Sequence, residues 1–139
     1  GCRDDLSHVG TGDFEIAFTV RTMNARDAAL LWQRAACDAQ KYWEVSIDAA
    51  GRPVFEFRSP FFLAEASAGF LVADGAPRRV VGRRRDRIFA VFVDGTSEAI
   101  QTVSVDFGAL TPLGTTAPHP CGDSVAAAGG VTEVCVRPL

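Results

Sequence analysis

No C-x-x-C spacing occurs in this chain of 139 residues, although it holds four cysteines. That lack argues against zinc ribbons and thioredoxin-like redox motifs, and the even count reads as a disulfide framework. From sequence alone, four cysteines allow three connectivities. Eighteen consecutive apolar residues are nowhere to be found, so no helical membrane span is encoded. Repeats of roughly 20–50 residues, heptads and low-complexity tails are missing too, which excludes solenoids, propellers and coiled coils. A basic excess is lacking as well: 14 Lys and Arg against 17 Asp and Glu leave a net charge of −3, with no global field to attract nucleic acid. Lysine itself is nearly absent, Lys41 being the sole example. No charged and apolar leader precedes the first turn, and a start at Gly1 leads us to expect a mature piece of a longer precursor.

What is present reads as β-structure. Hydrophobic residues make up 47% and charged residues 22%, the balance of a globular core with a solvated surface, and the length fits one domain over residues 1–139. After the turn signal Gly10-Thr11-Gly12-Asp13, the residues Phe14, Ile16, Phe18 and Val20 alternate with Glu15, Ala17, Thr19 and Arg21. Period two with aromatic and β-branched residues predicts a half-buried strand. Ala28 to Ala36 has helical propensity, but it is short, uncapped and set between strands, so it is read as a strand. Trp43, Val45 and Ile47 share one face of the next strand, and Ala49 to Arg52 turns the chain into a partner with Phe55 and Phe57 facing the core. A second hairpin runs from Arg78 through Arg84-Arg85-Asp86 to Val93, with Phe89, Val91 and Val93 inward and Asp94-Gly95 closing it. Ala99 to Val105 and Val131 to Val136 read as two more strands, with a Pro- and Gly-rich stretch from Thr111 to Ser124 between them. Many short strands between turn signals predict an all-β antiparallel sandwich.

Along the whole chain, a set of short motifs resembles one family. Asp5 to Phe14, Trp32 to Cys37, Tyr42-Trp43-Glu44-Val45, Asp74-Gly75-Ala76-Pro77-Arg78, Phe92-Val93-Asp94-Gly95, Cys121 and Val134-Cys135-Val136 look, in their order and spacing, like bacterial laminin-G-like domains of the concanavalin A-like lectin/glucanase superfamily. The resemblance implies a two-sheet antiparallel jelly-roll sandwich whose first and last strands are neighbours. It also implies a nested disulfide pairing, Cys2 with Cys135 and Cys37 with Cys121. Disulfides persist in oxidising compartments, so a secreted or cell-surface domain is expected. A second use of Cys2 stays open, because a lipoprotein matures at a cysteine preceded by a small residue. Thirteen of fourteen basic residues are Arg, and with abundant Ala, Gly and Val this reads as a high-GC bacterial composition. Departures from the pattern fall at Glu44, Ser46 and Arg78 and in the shortened Gly122-Asp123-Ser124.

Glucanases of similar fold crowd acidic residues along one strand, and no such run exists here. The nearest pair, Glu44 and Asp48, lies four residues apart, or about 13 Å between Cα atoms at strand rise. Paired glycosidase carboxylates need about 5–5.5 Å or 6.5–9.5 Å. His8 and His119 sit in loop-like stretches without metal-ligand spacing, and Ser104 and Ser124 lie in no nucleophile-elbow context, so no enzyme is expected. Some superfamily members hold Ca²⁺ with loop carboxylates, which makes Asp94, Asp106 and Asp123 candidate ligands; against this, a turn Asp usually serves its own backbone.

Six arginines, Arg78, Arg79, Arg83, Arg84, Arg85 and Arg87, fall within ten residues. They read either as an anion patch or, preferred here, as a solvated hairpin whose outward charges discourage edge pairing. Phe61-Phe62-Leu63 is expected to fold back over the open end of the core. Tyr42, Glu44, Glu56 and Arg58 would project together opposite Trp43 and Phe55, joined by Arg83 if the second hairpin shares their sheet. By resemblance, that surface would serve a non-catalytic extracellular module, binding carbohydrate or glycoconjugate and appended to a larger secreted bacterial protein. The alternative is an architectural or protein-adhesion domain with no small ligand.

Overall fold

Period-two patterning gives ten strands and no α-helix among the residues described by a computed structural model, namely 2, 5–23, 28–35, 37, 40–67, 69, 71–106, 114–115 and 130–139. The strands are β1 (Phe14–Val20), β2 (Ala28–Arg34), β3 (Tyr42–Ile47), β4 (Pro53–Ser59), β5 (Phe62–Ser67), β6 (Arg78–Arg85), β7 (Ile88–Val93), β8 (Thr96–Thr102), β9 (Gly114–Thr115) and β10 (Val131–Pro138). They build two antiparallel sheets, ordered β10-β1-β6-β7-β8 and β5-β4-β3-β2-β9. The first and last long strands pair directly, Ile16 opposite Val136 and Ala17 opposite Cys135.

Alternation decides which side chains meet between the sheets. Phe14, Ile16, Phe18 and Val20 from β1 face Trp43, Val45 and Ile47 from β3 and Phe55 and Phe57 from β4, with Phe89, Val91 and Val93 of β7 in the same core. The rings form a connected group: Phe57 packs on Phe89 with centroids 4.7 Å apart, and Phe55 on Phe89 at 5.1 Å. Gly82 of β6 faces this group, and a Cβ there would stand 2.4 Å from Phe89 and 2.6 Å from Phe55. Glycine at that point lets both rings occupy the space over the strand. Gln33 is the polar anchor at the β2 side of the core. Its Oε1 accepts from the Leu6 amide at 3.0 Å and the Trp43 indole at 3.1 Å, while its Nε2 donates to Asp5 at 2.9 Å. Every polar atom of this buried amide that is so engaged repays its loss of water.

Both hairpin turns of the first sheet are two residues long with positive φ at each position, Asp86 (50°) with Arg87 (69°) and Asp94 (49°) with Gly95 (83°). Such turns match the right-handed twist of the flanking strands. The Asp94-Gly95 turn starts β8 at once, at Thr96, so the strand runs from Thr96 to Thr102 and not from Ala99 to Val105 as the sequence predicts. It ends there because the Val103 and Val105 carbonyls turn inward to a side chain described below. Residues 62–67, where the sequence reading places no strand, form the edge strand β5.

Cys2 and Cys135 form a disulfide with Cα atoms 5.1 Å apart, inside the usual range. The pairing ties the N-terminal segment to edge strand β10, and the Asp5 amide adds a bond to the Val136 carbonyl at 3.1 Å. Cys2 thereby has no thiol left for lipidation. Cys37 is disulfide-bonded as well; its expected partner, Cys121, lies outside the described residues.

Candidate functional site

Antiparallel register sets Tyr42 opposite Arg58 and Glu44 opposite Glu56, all four on the face of the second sheet that points away from the core. The Tyr42 hydroxyl donates to Glu56 Oε2 at 2.7 Å, and the Arg34 guanidinium stands 5.4 Å from the centre of the Tyr42 ring. Tyr42 and Glu44 are both only 7% exposed, so the accessible part of this face is Glu56, Arg58 and what lies beyond them on β5. There, Leu63 is opposite Arg58 and Glu65 opposite Glu56. Three carboxylates, Glu44, Glu56 and Glu65, therefore stand in one row across three strands.

Arg83 does not join them. Its strand, β6, belongs to the other sheet, where Arg83 bonds Glu15 at 2.8 Å and lies 5.6 Å from the Phe92 ring centre. Burial pushes the Glu15 carboxyl up, but hydrogen bonds from Arg83 and Arg137 outweigh it and hold the group below its ordinary value. Two hairpins can each be read locally, yet nothing local says which sheet either enters.

Beside the accessible half lies a shallow recess of about 310 Å³, lined by Arg58, Ser59, Pro60, Phe61, Phe62 and Leu63. The expectation that the Phe61-Phe62-Leu63 trio folds over the core fails for two of the three. Phe62 packs against the core, but Phe61 is 99% exposed and Leu63 53%. Pro60 and Phe61 form the two-residue β4–β5 turn, which places the Phe61 ring at the tip, and strand parity sends Leu63 outward. Among the described residues, Arg58 makes no ion pair. The sequence reading missed Leu63, Ser59 and Glu65; the signal was the alternation of Leu63, Glu65 and Ser67 with Ala64 and Ala66.

The arginine run divides by parity. Arg79, Arg83 and Arg85 point outward and meet Glu133, Glu15 and Asp13 at 3.9, 2.8 and 4.0 Å. Arg84 points inward and is fully buried, which corrects the reading of it as a solvated position. It donates to the carbonyls of Gly10 (3.0 Å), Gly12 (2.7 Å), Val103 (3.3 Å) and Val105 (2.7 Å), and its guanidinium lies 4.6 Å from the Phe14 ring centre. Burial pulls its pKa down to about 10, so the group is still charged at neutral pH. Arg84 thus plugs the end of the sandwich formed by Gly10 to Phe14, the β6–β7 turn and Val103 to Val105.

A second recess, about 360 Å³, is lined by Leu71, Arg78, Val93, Asp94 and Thr96. Its charges are mutually engaged: Arg78 bridges Asp74 and Asp94, and this pairing raises the Arg78 pKa. Asp94 uses Oδ1 to accept from the Arg79 amide at 2.9 Å and Oδ2 to accept from Arg78 at 3.0 Å. The Arg79 amide bond and Arg78 together hold its carboxyl below the ordinary range. An aspartate so engaged holds its turn. Asp106 is exposed, Asp123 lies outside the described residues, and among the described residues no three His, Cys, Asp or Glu side chains are grouped to hold a metal. Asp48, the partner considered for Glu44, accepts from the Ala50 and Arg52 amides and holds the β3–β4 turn.

No family model and no curated protein matches this sequence. Solved structures do match its shape. Domains LG4-5 of the mouse laminin α1 chain superpose with a TM-score of 0.80 at 17% identity, over 99% of this chain and 40% of that one. The CBM40 of the Ruminococcus gnavus IT-sialidase, solved with α2,3-sialyllactose bound, gives 0.76 at 15% identity, covering 94% and 79%. A heptameric SAP-like pentraxin from Limulus polyphemus gives 0.67 at 11% identity, covering 91% and 64%. This chain spans less than half the length of the laminin structure. It has the two-sheet antiparallel jelly-roll sandwich that laminin G domains and the CBM40 module share.

Proposed function

We propose that this chain is a non-catalytic carbohydrate-binding module and that the Arg58–Leu63 recess is its site. The observation that carries the reading is an almost fully exposed aromatic ring, Phe61, beside an arginine that makes no ion pair among the described residues. Saccharides present C–H faces that stack on apolar rings and hydroxyls that need donors and acceptors. Phe61 and Leu63 offer the first, while Arg58, Ser59 and Glu56 offer the second. The Leu71–Thr96 recess also contains an arginine, but Arg78 is already held by two carboxylates. The sialyllactose-bound CBM40 of like fold supports a saccharide over other small ligands. With its disulfides, the module would work in an oxidising compartment, secreted or at the cell surface, as part of a larger bacterial protein.

Catalysis has little to build on. Directly opposite residues on neighbouring strands lie about 4.5–5.5 Å apart at Cβ, so Glu56 and Glu65 come near the spacing of a retaining glycosidase pair. The strand-borne run of acidic residues that glucanases of similar fold use is absent from the sequence, however, and Glu56 is already engaged by the Tyr42 hydroxyl.

A glycan array tests the proposal. The wild type should bind a defined subset of saccharides, and Arg58→Ala or Phe61→Ala should weaken that binding at least about tenfold, the weight of one lost charged hydrogen bond or ring contact. Melting temperatures should stay close to the wild type's because neither side chain is in the core. Silence on every glycan, with capture of a purified protein partner, would instead establish an adhesion domain.

A further inference from the structure

Arg58 is the charged residue that lines the recess, and carboxylates stand beside it on the same sheet face. Glu56 lies two residues along the same strand and faces the same way, with Glu65 directly opposite on β5 and Glu44 directly opposite on β3. The groups facing Glu56 can be named from every side. On β3 they are Glu44 and Tyr42, whose hydroxyl donates to it; on β5, Glu65 with Leu63 and Ser67 beside it; on its own strand, Arg58; and beyond β3, Trp32 and Arg34 of β2. One cation of this face, Arg34, is buried against Tyr42, which leaves Arg58 as the accessible one. Like charges opposite each other on adjacent strands repel, and the repulsion is relieved when one of the pair takes a proton.

Resting on the reading of the recess as a saccharide site, we propose that the Glu56–Glu65 pair makes it acid-responsive: its hold on an anionic saccharide strengthens as the medium turns acid. Burial, together with the charge and carboxyl contact of Glu65, raises the Glu56 carboxyl above its ordinary value, outweighing the Tyr42 hydrogen bond and the attraction of Arg58. On acidification Glu56 protonates ahead of an ordinary glutamate, and one negative charge next to Arg58 disappears. An incoming carboxylate or sulfate then meets a recess of more positive potential. The sign for stability runs the same way. A carboxyl raised in the folded state binds its proton before the unfolded chain does, so the fold gains from this group as pH falls through that range. Tighter binding in acid is therefore not a by-product of unfolding.

Calorimetric titrations at fixed ionic strength provide the test, with α2,3-sialyllactose as the anionic probe and lactose as its neutral counterpart, at about pH 7.5 and pH 5.0. The sialylated probe should bind on the order of threefold to tenfold more tightly at the lower pH, the weight of one partly screened charge a few ångströms away. Lactose should show no such gain. Glu65→Gln, an exposed change that leaves the fold alone, should bring the affinity at pH 7.5 close to the wild type's at pH 5.0 and flatten the pH dependence. Glu56→Gln should do the same. Equal affinities at the two pH values, or tighter binding at pH 7.5, would overturn the acid response while leaving the saccharide site standing. Binding of neither probe at either pH would overturn the acid response, and silence of the array on every glycan would overturn the saccharide site with it.

Discussion

Arg84→Met is expected to destabilise the fold by about 3–5 kcal/mol, because several buried or half-buried acceptors lose their donor at once. Methionine nearly matches the length of the arginine stem and keeps contact with Phe14, so the loss isolates the guanidinium. Four carbonyl oxygens, those of Gly10, Gly12, Val103 and Val105, would lose their donor together. A buried acceptor left without a partner costs about 1–3 kcal/mol, and water entering the loosened end would recover part of it. The neighbours on the same strand supply the control. Arg85→Ser removes an outward side chain with a partly exposed ion pair and should stay within about 1 kcal/mol of the wild type, whereas Arg83→Ser, which leaves the buried Glu15 with Arg137 alone, should fall between it and Arg84→Met. Urea melts of the three variants check this. An Arg84→Met variant as stable as Arg85→Ser would show that the plug is dispensable.

Phe55→Ala should cost about 3–5 kcal/mol, the range for deleting a buried aromatic. The ring is fully buried and lies 5.1 Å from Phe89 and 6.4 Å from Phe18, with Gly82 beneath it. It joins the two sheets at the one inward position of β6 that has no side chain, so no neighbour on that strand can collapse into the gap. Denaturant melts that show a loss under about 1 kcal/mol would mean that the β3–β4 register is shifted, because a one-residue slip turns every side chain of the strand over.

The contrast between these two residues shows what could be read from the chain. Phe55 was legible because it sits in a clean alternation opposite an equally clean one, and hydrophobic period two is a local signal. Arg84 obeys the same parity: with Val80 and Gly82 it falls on the inward face, and the alternation of β6 says so. Charge argues the other way, and the deciding partners lie 72 and 74 residues upstream and 19 and 21 residues downstream, where no local pattern reveals them. The site shows the same division. Tyr42, Glu44, Glu56 and Arg58 share a face, as hairpin parity predicts. Arg83 was separated from them by the sheet topology, a global property that hairpins do not carry. The exposure of Phe61 depends on a two-residue turn, and once residues 62–67 are seen as a strand the register brings Leu63 and Glu65 to Arg58 and Glu56.

Backbone amide chemical-shift mapping during saccharide titration tests the central claim most directly, using the best glycan from the array and ¹⁵N-labelled protein. The account predicts saturable shifts concentrated at Arg58 to Leu63, extending to Glu56 and Glu65 and sparing the turns on which the Leu71–Thr96 recess is built. Shifts centred on Leu71, Arg78 and Asp94, or on the outward face of β6 around Arg83, with the Phe61 turn unmoved, would contradict it.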